Sequence, residues 1–494
     1  MTSINNIRRR LGQLLVIGFE GTEVTDAVWN LLAQVRPAGV ILFARNLVDP
    51  EQTRRLNTDL QAAARKLGIA PLLIGIDHEG GAVVRLGPPV VAFPGNMALA
   101  AAGSPELAYL QAQAMAEELL ALGFNWNFAP CIDVNSNPRN PIIGVRSFGD
   151  DPARVAEFGI AAIKGFQSRG LAACAKHFPG HGDTAEDSHL GLPCVARSLE
   201  ELRQVELVPF QAAVRAGVAS VMTAHVLFPA LEPDRPATVS HLIVTGLLRE
   251  EMGFRGVIVS DALEMAGLAD SVGVAHGAVQ SITAGVDLLL ACNSASVREE
   301  AFAALHQAFD RGCLSPLLVN LALERVDCMK QHFLSQLPEP PPLSVVGCPE
   351  HRKLEAQIAA ESIALVRDEP GVLPLSGQRV RLLCVGVPED ALSLLRELLG
   401  KGCAVVDPPE QAPAVLLVTR DLHRRPGEVA RLRQAVLDEP KAVLLALGYP
   451  GDLQLVPEAS TAIATCSAAP ASLEAAVAVL LGGAAAPGRI PVSL

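Results

Sequence analysis

The feature that most constrains this chain is a series of short apolar runs spread through its first 336 residues. They fall at residues 14–19, 39–43, 72–77, 127–133, 172–177, 220–225, 256–261 and 287–292. None shows the strict alternation of a strand with one wet face. Continuous apolar runs of this length suit strands covered on both sides, as in a parallel sheet. Amphipathic stretches such as 152–169 and 199–216 separate them. Eight β/α units in series predict a (β/α)8 TIM-like barrel.

The polar residues of these runs sit at one end. Asp77, Asp133, Lys176, His177, His225 and Asp261 each close a predicted strand. Barrels of this kind gather their reactive groups at the C-terminal ends of the strands. Only 19% of the residues are charged, so these strand ends stand out.

The segment 337–344, LPEPPPLS, has four prolines in eight residues and reads as a stiff linker. It divides the chain into a barrel at 1–336, a proline-rich linker at 337–348 and a smaller α/β sandwich domain at 349–494. In that second domain, strands are expected at 381–385, 404–406, 414–419 and 442–447, and helices at 351–366, 389–399, 426–437 and 472–481. These elements predict an open parallel sheet with flanking helices. The turn 386–390, GVPED, lacks the glycine spacing of a nucleotide-binding loop.

Forty basic against 52 acidic residues leave a net charge of −12, which argues against nucleic acid as a partner. The mean hydropathy of +0.32 is high. Yet no apolar run reaches the roughly 18–20 residues that span a bilayer. Residues 1–12 are polar, and the run after them is too short for the core of a signal peptide. The expectation is a soluble, cytoplasmic protein without a membrane partner. Its ten cysteines form no C-x-x-C pair and read as buried free thiols of a reducing compartment.

The densest chemistry lies in 176–189, KHFPGHGDTAEDSH. His177, His181 and His189 are spaced as metal ligands would be on a helix. Pro179, Gly180 and Gly182 make that segment a loop, so no metal is expected. Asp187 and His189 suit acid/base work instead. The carboxylate can accept Nδ1–H and leave Nε2 free to carry a proton. Asp261, in 256–265 (GVIVSDALEM), reads either as a helix N-cap or as a carboxylate nucleophile or base. Asp77 and Arg85 flank a Gly80–Gly81 turn in 75–86 (GIDHEGGAVVRL), and Arg146 lies in 142–152 (IIGVRSFGDDP). Each could form a surface ion pair or grip sugar hydroxyls. A carboxylate and a proton carrier among such groups fit glycosyl transfer, although glycosidases usually employ two carboxylates.

These motifs, with NFAPCIDVN, resemble family 3 glycoside hydrolases, and within them the β-N-acetylhexosaminidase branch of the NagZ type. The resemblance covers the whole first part, and the second resembles the C-terminal domain that some members carry. It implies a retaining exo-glycosidase that needs neither cofactor nor metal. Asp261 matches the nucleophile, His189 the acid/base and Asp187 its dyad partner. Asp77, Arg85, Arg146, Lys176 and His177 match positions that hold the terminal sugar. The implied substrate is a carbohydrate with terminal β-linked N-acetylglucosamine, as in muropeptides of cell-wall recycling. The chain departs from the family pattern at His78 (often Gln) and Ala82 (often Arg), which is expected to alter the pocket rim. Alternatives are a β-N-acetylglucosaminide phosphorylase, a β-glucosidase or xylosidase, and a sugar-binding protein without catalysis.

Overall fold

The computed structural model describes residues 4–335, 340–407, 410, 412–439 and 441–494. Eight parallel strands close a barrel: β1 (Leu15–Ile17), β2 (Gly39–Leu42), β3 (Leu73–Ile76), β4 (Trp126–Asn127), β5 (Ala172–Phe178), β6 (Ser220–Thr223), β7 (Val257–Ala262) and β8 (Leu288–Ala291). Each pairs with the next in sequence, and β8 returns to β1. The barrel is the one that the apolar runs predict.

Its interior is a packed layer rather than a channel. Val16, Ile41, Leu73, Trp126, Met222, Val259 and Leu288 meet there. Helix Pro316–Leu334 seals one end with Val326, Met329 and Phe333. The buried Trp126 indole donates its Nε1–H to Ser220 Oγ at 2.9 Å, so the core holds no unmet donor at that point.

Two expectations for the barrel change. The run at 127–133 supplies only the end of β4, because Pro130 has no N–H to offer a ladder. Beyond it a single bridge, Cys131 to Lys176, keeps contact with β5. The stretch 199–216 is not one helix but two, Leu199–Gln204 and Leu207–Arg215. The ring of Pro209 stands where a continuous helix would need the carbonyl of Val205.

The second sheet has six strands: β9 (Ala364–Arg367), β10 (Arg379–Val385), β11 (Ala404–Val406), β12 (Ala414–Thr419), β13 (Ala442–Ala446) and β14 (Thr461–Ala464). Their order is β9-β14-β13-β12-β10-β11. All pairs are parallel except β9 with β14. Helices Glu389–Gly400 and Pro470–Leu480 cover one face, and Pro426–Asp438 covers the other. The sheet is therefore mixed, not wholly parallel. The expected helix 351–366 stops at Ser362 because Ala364–Arg367 is drawn into pairing with β14.

Residues 337–339 of the expected linker lie outside the described residues. The later part of the linker is packed rather than free: Leu343 and Val345 lie on the barrel core and Val346 is buried. No described helix is long and apolar enough to cross a membrane. All ten cysteines are free thiols, but Cys194, Cys313 and Cys328 are exposed, against the expectation of burial.

Candidate active site

A cavity of about 400 Å³ opens at the C-terminal ends of the barrel strands. Asp77, Arg85, Arg146, Lys176, His177, His189 and Asp261 all line it. Asp187 stands behind His189. The chain has a roomier cavity, about 1030 Å³, lined by Asn57, Pro71, Phe124, Arg169 and Pro341. That one lies at the opposite end of the barrel, away from every charged strand end, so its size is no argument for chemistry.

One wall is built on Glu79. The strand β3 ends at Ile76, and the chain turns at Gly80 and Gly81, both with positive φ. A Cβ on Gly81 would stand 2.7 Å from the Pro94 carbonyl oxygen, so no larger residue fits the turn. The turn drops Glu79 into the barrel mouth, where it is buried. Arg146 donates Nε–H to Oε2 at 3.0 Å and Nη2–H to Oε1 at 2.9 Å. Lys176 Nζ lies 2.6 Å from Oε1 and 2.8 Å from Asp77 Oδ1. Burial opposes the charge of Glu79, but Arg146 and Lys176 outweigh it and hold its carboxyl far below the usual range. The carboxylates in turn raise the basicity of Lys176 against its own burial. A buried charge is tolerated when it is paired and hydrogen-bonded in this way.

A second carboxylate fixes the histidines. Asp133 accepts Nδ1–H of His177 at 2.7 Å and the backbone N–H of His181 at 2.7 Å. Burial works against its charge, yet His177 outweighs burial and brings the carboxyl down to about 2. With its Nδ1–H committed, His177 turns Nε2 to the cavity, 3.3 Å from Arg146 Nη2. His181 is buried and neutral, its pKa lowered to about 4 by desolvation and by His177. It pins the next loop. Thr184 gives its hydroxyl proton to the His181 carbonyl, so Nδ1–H donates to Thr184 Oγ1 at 2.9 Å. Nε2 then accepts from Ser188 Oγ at 2.9 Å.

That loop carries Asp187 and His189. Asp187 Oδ1 accepts both the backbone N–H and the Nδ1–H of His189, each at 2.8 Å. The His189 side chain is 60% exposed and that of Asp187 22% exposed. The ring is thus oriented by one carboxylate, with Nε2 open to the cavity mouth.

Asp261 closes the opposite wall, at the end of β7. It accepts the N–H of Ala262 at 2.8 Å. Desolvation would raise its pKa, but His177, His225, the Ala262 N–H and Lys176 prevail and lower it. It is a carboxylate inside a cavity, the form a nucleophile requires.

Three residues of the site are not singled out by the sequence, and a fourth only as a strand end. Glu79 lies in the GIDHEGG motif, where nothing in its spacing assigns it a role, and Asp133 reads only as a strand end. Ser188 gives no signal. Glu264 lines the cavity beside Asp261. Its Oε1 accepts the N–H groups of Cys292 and Asn293, while Oε2 is buried with no partner among the described residues. Conversely, His225 lies under the floor and donates Nε2–H to the Ala262 carbonyl at 3.0 Å. Neither His78, which is buried, nor Ala82 lines the cavity, so the expected change of the rim does not reach it.

Cys131, Asp133 and His177 come close enough to share a cation. Their donors do not suit one. Burial and Asp133 keep Cys131 a thiol, and the His177 and Cys131 protons already point at Asp133.

Comparison with known proteins agrees with this architecture. Residues 6–329 match the family model described as "Glycosyl hydrolase family 3 N terminal domain". Beta-hexosaminidase A of Pseudoalteromonas piscicida is 38% identical over 382 residues, 72% of this chain. The match spans 63% of that protein's length. A beta-hexosaminidase of Thiobacillus denitrificans is 38% identical over 297 residues, 59% of this chain and 81% of that one. The solved family 3 beta-N-acetylglucosaminidase of Paenibacillus sp. superposes with a TM-score of 0.91 at 37% identity, covering 99% of this chain and 98% of that one. With the match to the family model running over most of the chain, and with the barrel and its loaded C-terminal face in place, this protein belongs to glycosyl hydrolase family 3.

Proposed function

We propose that the protein is a retaining, exo-acting β-N-acetylglucosaminidase that removes terminal β-linked N-acetylglucosamine, with peptidoglycan fragments as its substrate. One observation carries the reading: Asp261 and His189 line a single cavity whose other wall is the Asp77–Lys176–Glu79–Arg146 network.

The terminal sugar is held by hydroxyl contacts to Asp77, Arg85, Arg146, Lys176 and His177. Asp261 attacks the anomeric carbon while His189 gives its Nε2 proton to the departing glycosidic oxygen. The Nδ1–H···Asp187 bond stabilises the charge that His189 carries before this transfer. A glycosyl ester on Asp261 results. Water then attacks the same carbon, His189 Nε2 takes its proton, and the sugar leaves with its configuration kept. The names of the relatives support hexosaminidase specificity.

A second reading, phosphorolysis, is favoured by one feature: the proton carrier is a histidine, which does not repel a phosphate as a carboxylate would. Both readings share the ester intermediate. Incubation with a 2-fluoro glycosyl substrate should therefore add one sugar to the peptide containing Asp261, and labelling at another residue would refute the assignment. Release of free N-acetylglucosamine at an unchanged rate when phosphate is added fits hydrolysis. Appearance of the sugar 1-phosphate establishes the alternative.

A further inference from the structure

Among the described residues, none that lines the active-site cavity comes from the C-terminal domain. That domain nevertheless grips one segment of the barrel. Residues 144–150 join the end of the fourth β/α loop to helix Pro152–Ser168, and they contain a single turn of 3-10 helix, Gly144–Arg146. This turn presents Arg146 to Glu79 and His177. Such a segment has little local structure to hold it and must be fixed by its contacts.

Some come from the barrel, where Asn96 donates Nδ2–H to the Arg146 carbonyl at 2.7 Å and Ser147 its hydroxyl to the Asp133 carbonyl at 2.6 Å, and the others bring in the C-terminal domain. Val145 packs on a cluster of Met97, Ala98, Tyr449 and Val492. Asn135 accepts the Gly144 N–H at 3.1 Å and donates to Tyr449 Oη at 3.4 Å. Gly149 lies so close to the last residues that a Cβ would stand 2.3 Å from the Pro491 carbonyl oxygen. Pro491 O accepts the Asp150 N–H at 3.4 Å, and the Ser493 N–H donates to Asp150 Oδ2 at 2.6 Å.

We infer that Tyr449 and the terminal segment 491–493 act as positioning residues that clamp the 144–150 segment and so hold the Arg146 guanidinium where the terminal sugar binds. The inference rests on the proposed role of Arg146 as a sugar contact. Through these contacts the domain acts on the chemistry without lining the cavity. Displacing a binding group by about 1 Å can cost two orders of magnitude in rate, so the clamp is worth keeping even without direct contact.

Three variants of the full chain test it: deletion of residues 491–494, Tyr449→Phe, and Arg146→Ala. The readouts are KM and kcat on nitrophenyl N-acetylglucosaminide, thermal unfolding, and amide hydrogen exchange within 144–150. The deletion should raise KM by about tenfold with kcat changed by less than about threefold, and should speed exchange in 144–150. Tyr449→Phe should raise KM by about two- to threefold without lowering the unfolding temperature appreciably. A deletion that lowers the unfolding temperature yet leaves KM and exchange unchanged, while Arg146→Ala raises KM, overturns the clamp. If Arg146→Ala leaves KM unchanged, the reading of Arg146 as a sugar contact fails, and the exchange data alone decide the clamp. Should the deletion fail to fold, Tyr449→Phe and Asp150→Ala decide by the same measures: unchanged KM and exchange in both overturn it.

Discussion

Arg146 and Glu79 meet through two parallel hydrogen bonds of 3.0 and 2.9 Å, with the carboxylate only 2% exposed. The pair links the third and fourth β/α loops and fixes an arginine that also faces His177. Removing one partner of such a buried pair leaves the other charge uncompensated. Glu79→Gln should destabilise the protein by about 3–5 kcal/mol and lower kcat/KM at least about 100-fold. Thermal unfolding and steady-state kinetics together check this; an unfolding temperature and KM both like those of the unmodified protein would mean that the network is dispensable.

Among the described residues, the ring of His189 has one partner, Asp187. His189→Ala should reduce kcat by about 10²–10⁴-fold on alkyl glycosides, whose leaving group needs a proton, and by far less on dinitrophenyl glycosides. Asp187→Asn should show the same bias, because an amide can present N–H to Nδ1 and favour the wrong tautomer. The double variant should be little worse than either single one. Equal losses on both leaving groups would remove the acid role.

The buried histidines predict an acid limit. His78 and His181 have folded-state pKa values lowered to about 4, in both cases by desolvation first. An unfolded histidine titrates near 6.5. The fold favours the neutral form, so this stability is fully present above about pH 6.5 and is lost as pH falls from there towards 4. Each histidine accounts for about 3 kcal/mol over that window. The unfolding temperature should drop steeply between pH 6.5 and 4, and His181→Gln should flatten part of that slope. A profile identical in His181→Gln would assign the acid sensitivity elsewhere.

Glu264 keeps its fold contacts through Oε1, while burial, with some help from Asp261, raises its pKa. The side chain lines the cavity, and its buried Oε2 has no partner among the described residues. Glu264→Gln retains an oxygen for the backbone donors but replaces the second acceptor. It should raise KM by about three- to tenfold with a small effect on kcat. Competitive inhibition by free N-acetylglucosamine offers an independent measure; a Ki equal to that of the unmodified protein would place Glu264 outside the sugar's reach.

Much of the fold is legible in the sequence because its signal is local. Eight buried strands each need an apolar run, and a parallel barrel leaves no wet face to interrupt them. The failures have tertiary causes. Residues 127–133 look like a strand until Pro130 denies the ladder a donor. Ala364–Arg367 looks like the end of a helix, yet β14 offers it a pairing edge that helical propensity cannot match.

The site divides in the same way. Sequence alone placed Asp77, Lys176, His177 and Asp261 at strand ends, and Asp187 and His189 two residues apart, so their grouping followed from chain order and the barrel rule. Asp133 also closed a predicted strand, but its role, like those of Glu79 and Glu264, could not be ranked so, because what distinguishes them is burial against groups far along the chain. Glu79 meets Arg146 across 67 residues, Asp133 meets His177 across 44, and Asn135 meets Tyr449 across 314. Periodicity and spacing determined the barrel and which chemical groups rim it. Only the folded chain decided which carboxylates orient those groups, since hydrogen bonding and desolvation depend on distance in space, and distance along the sequence does not report it.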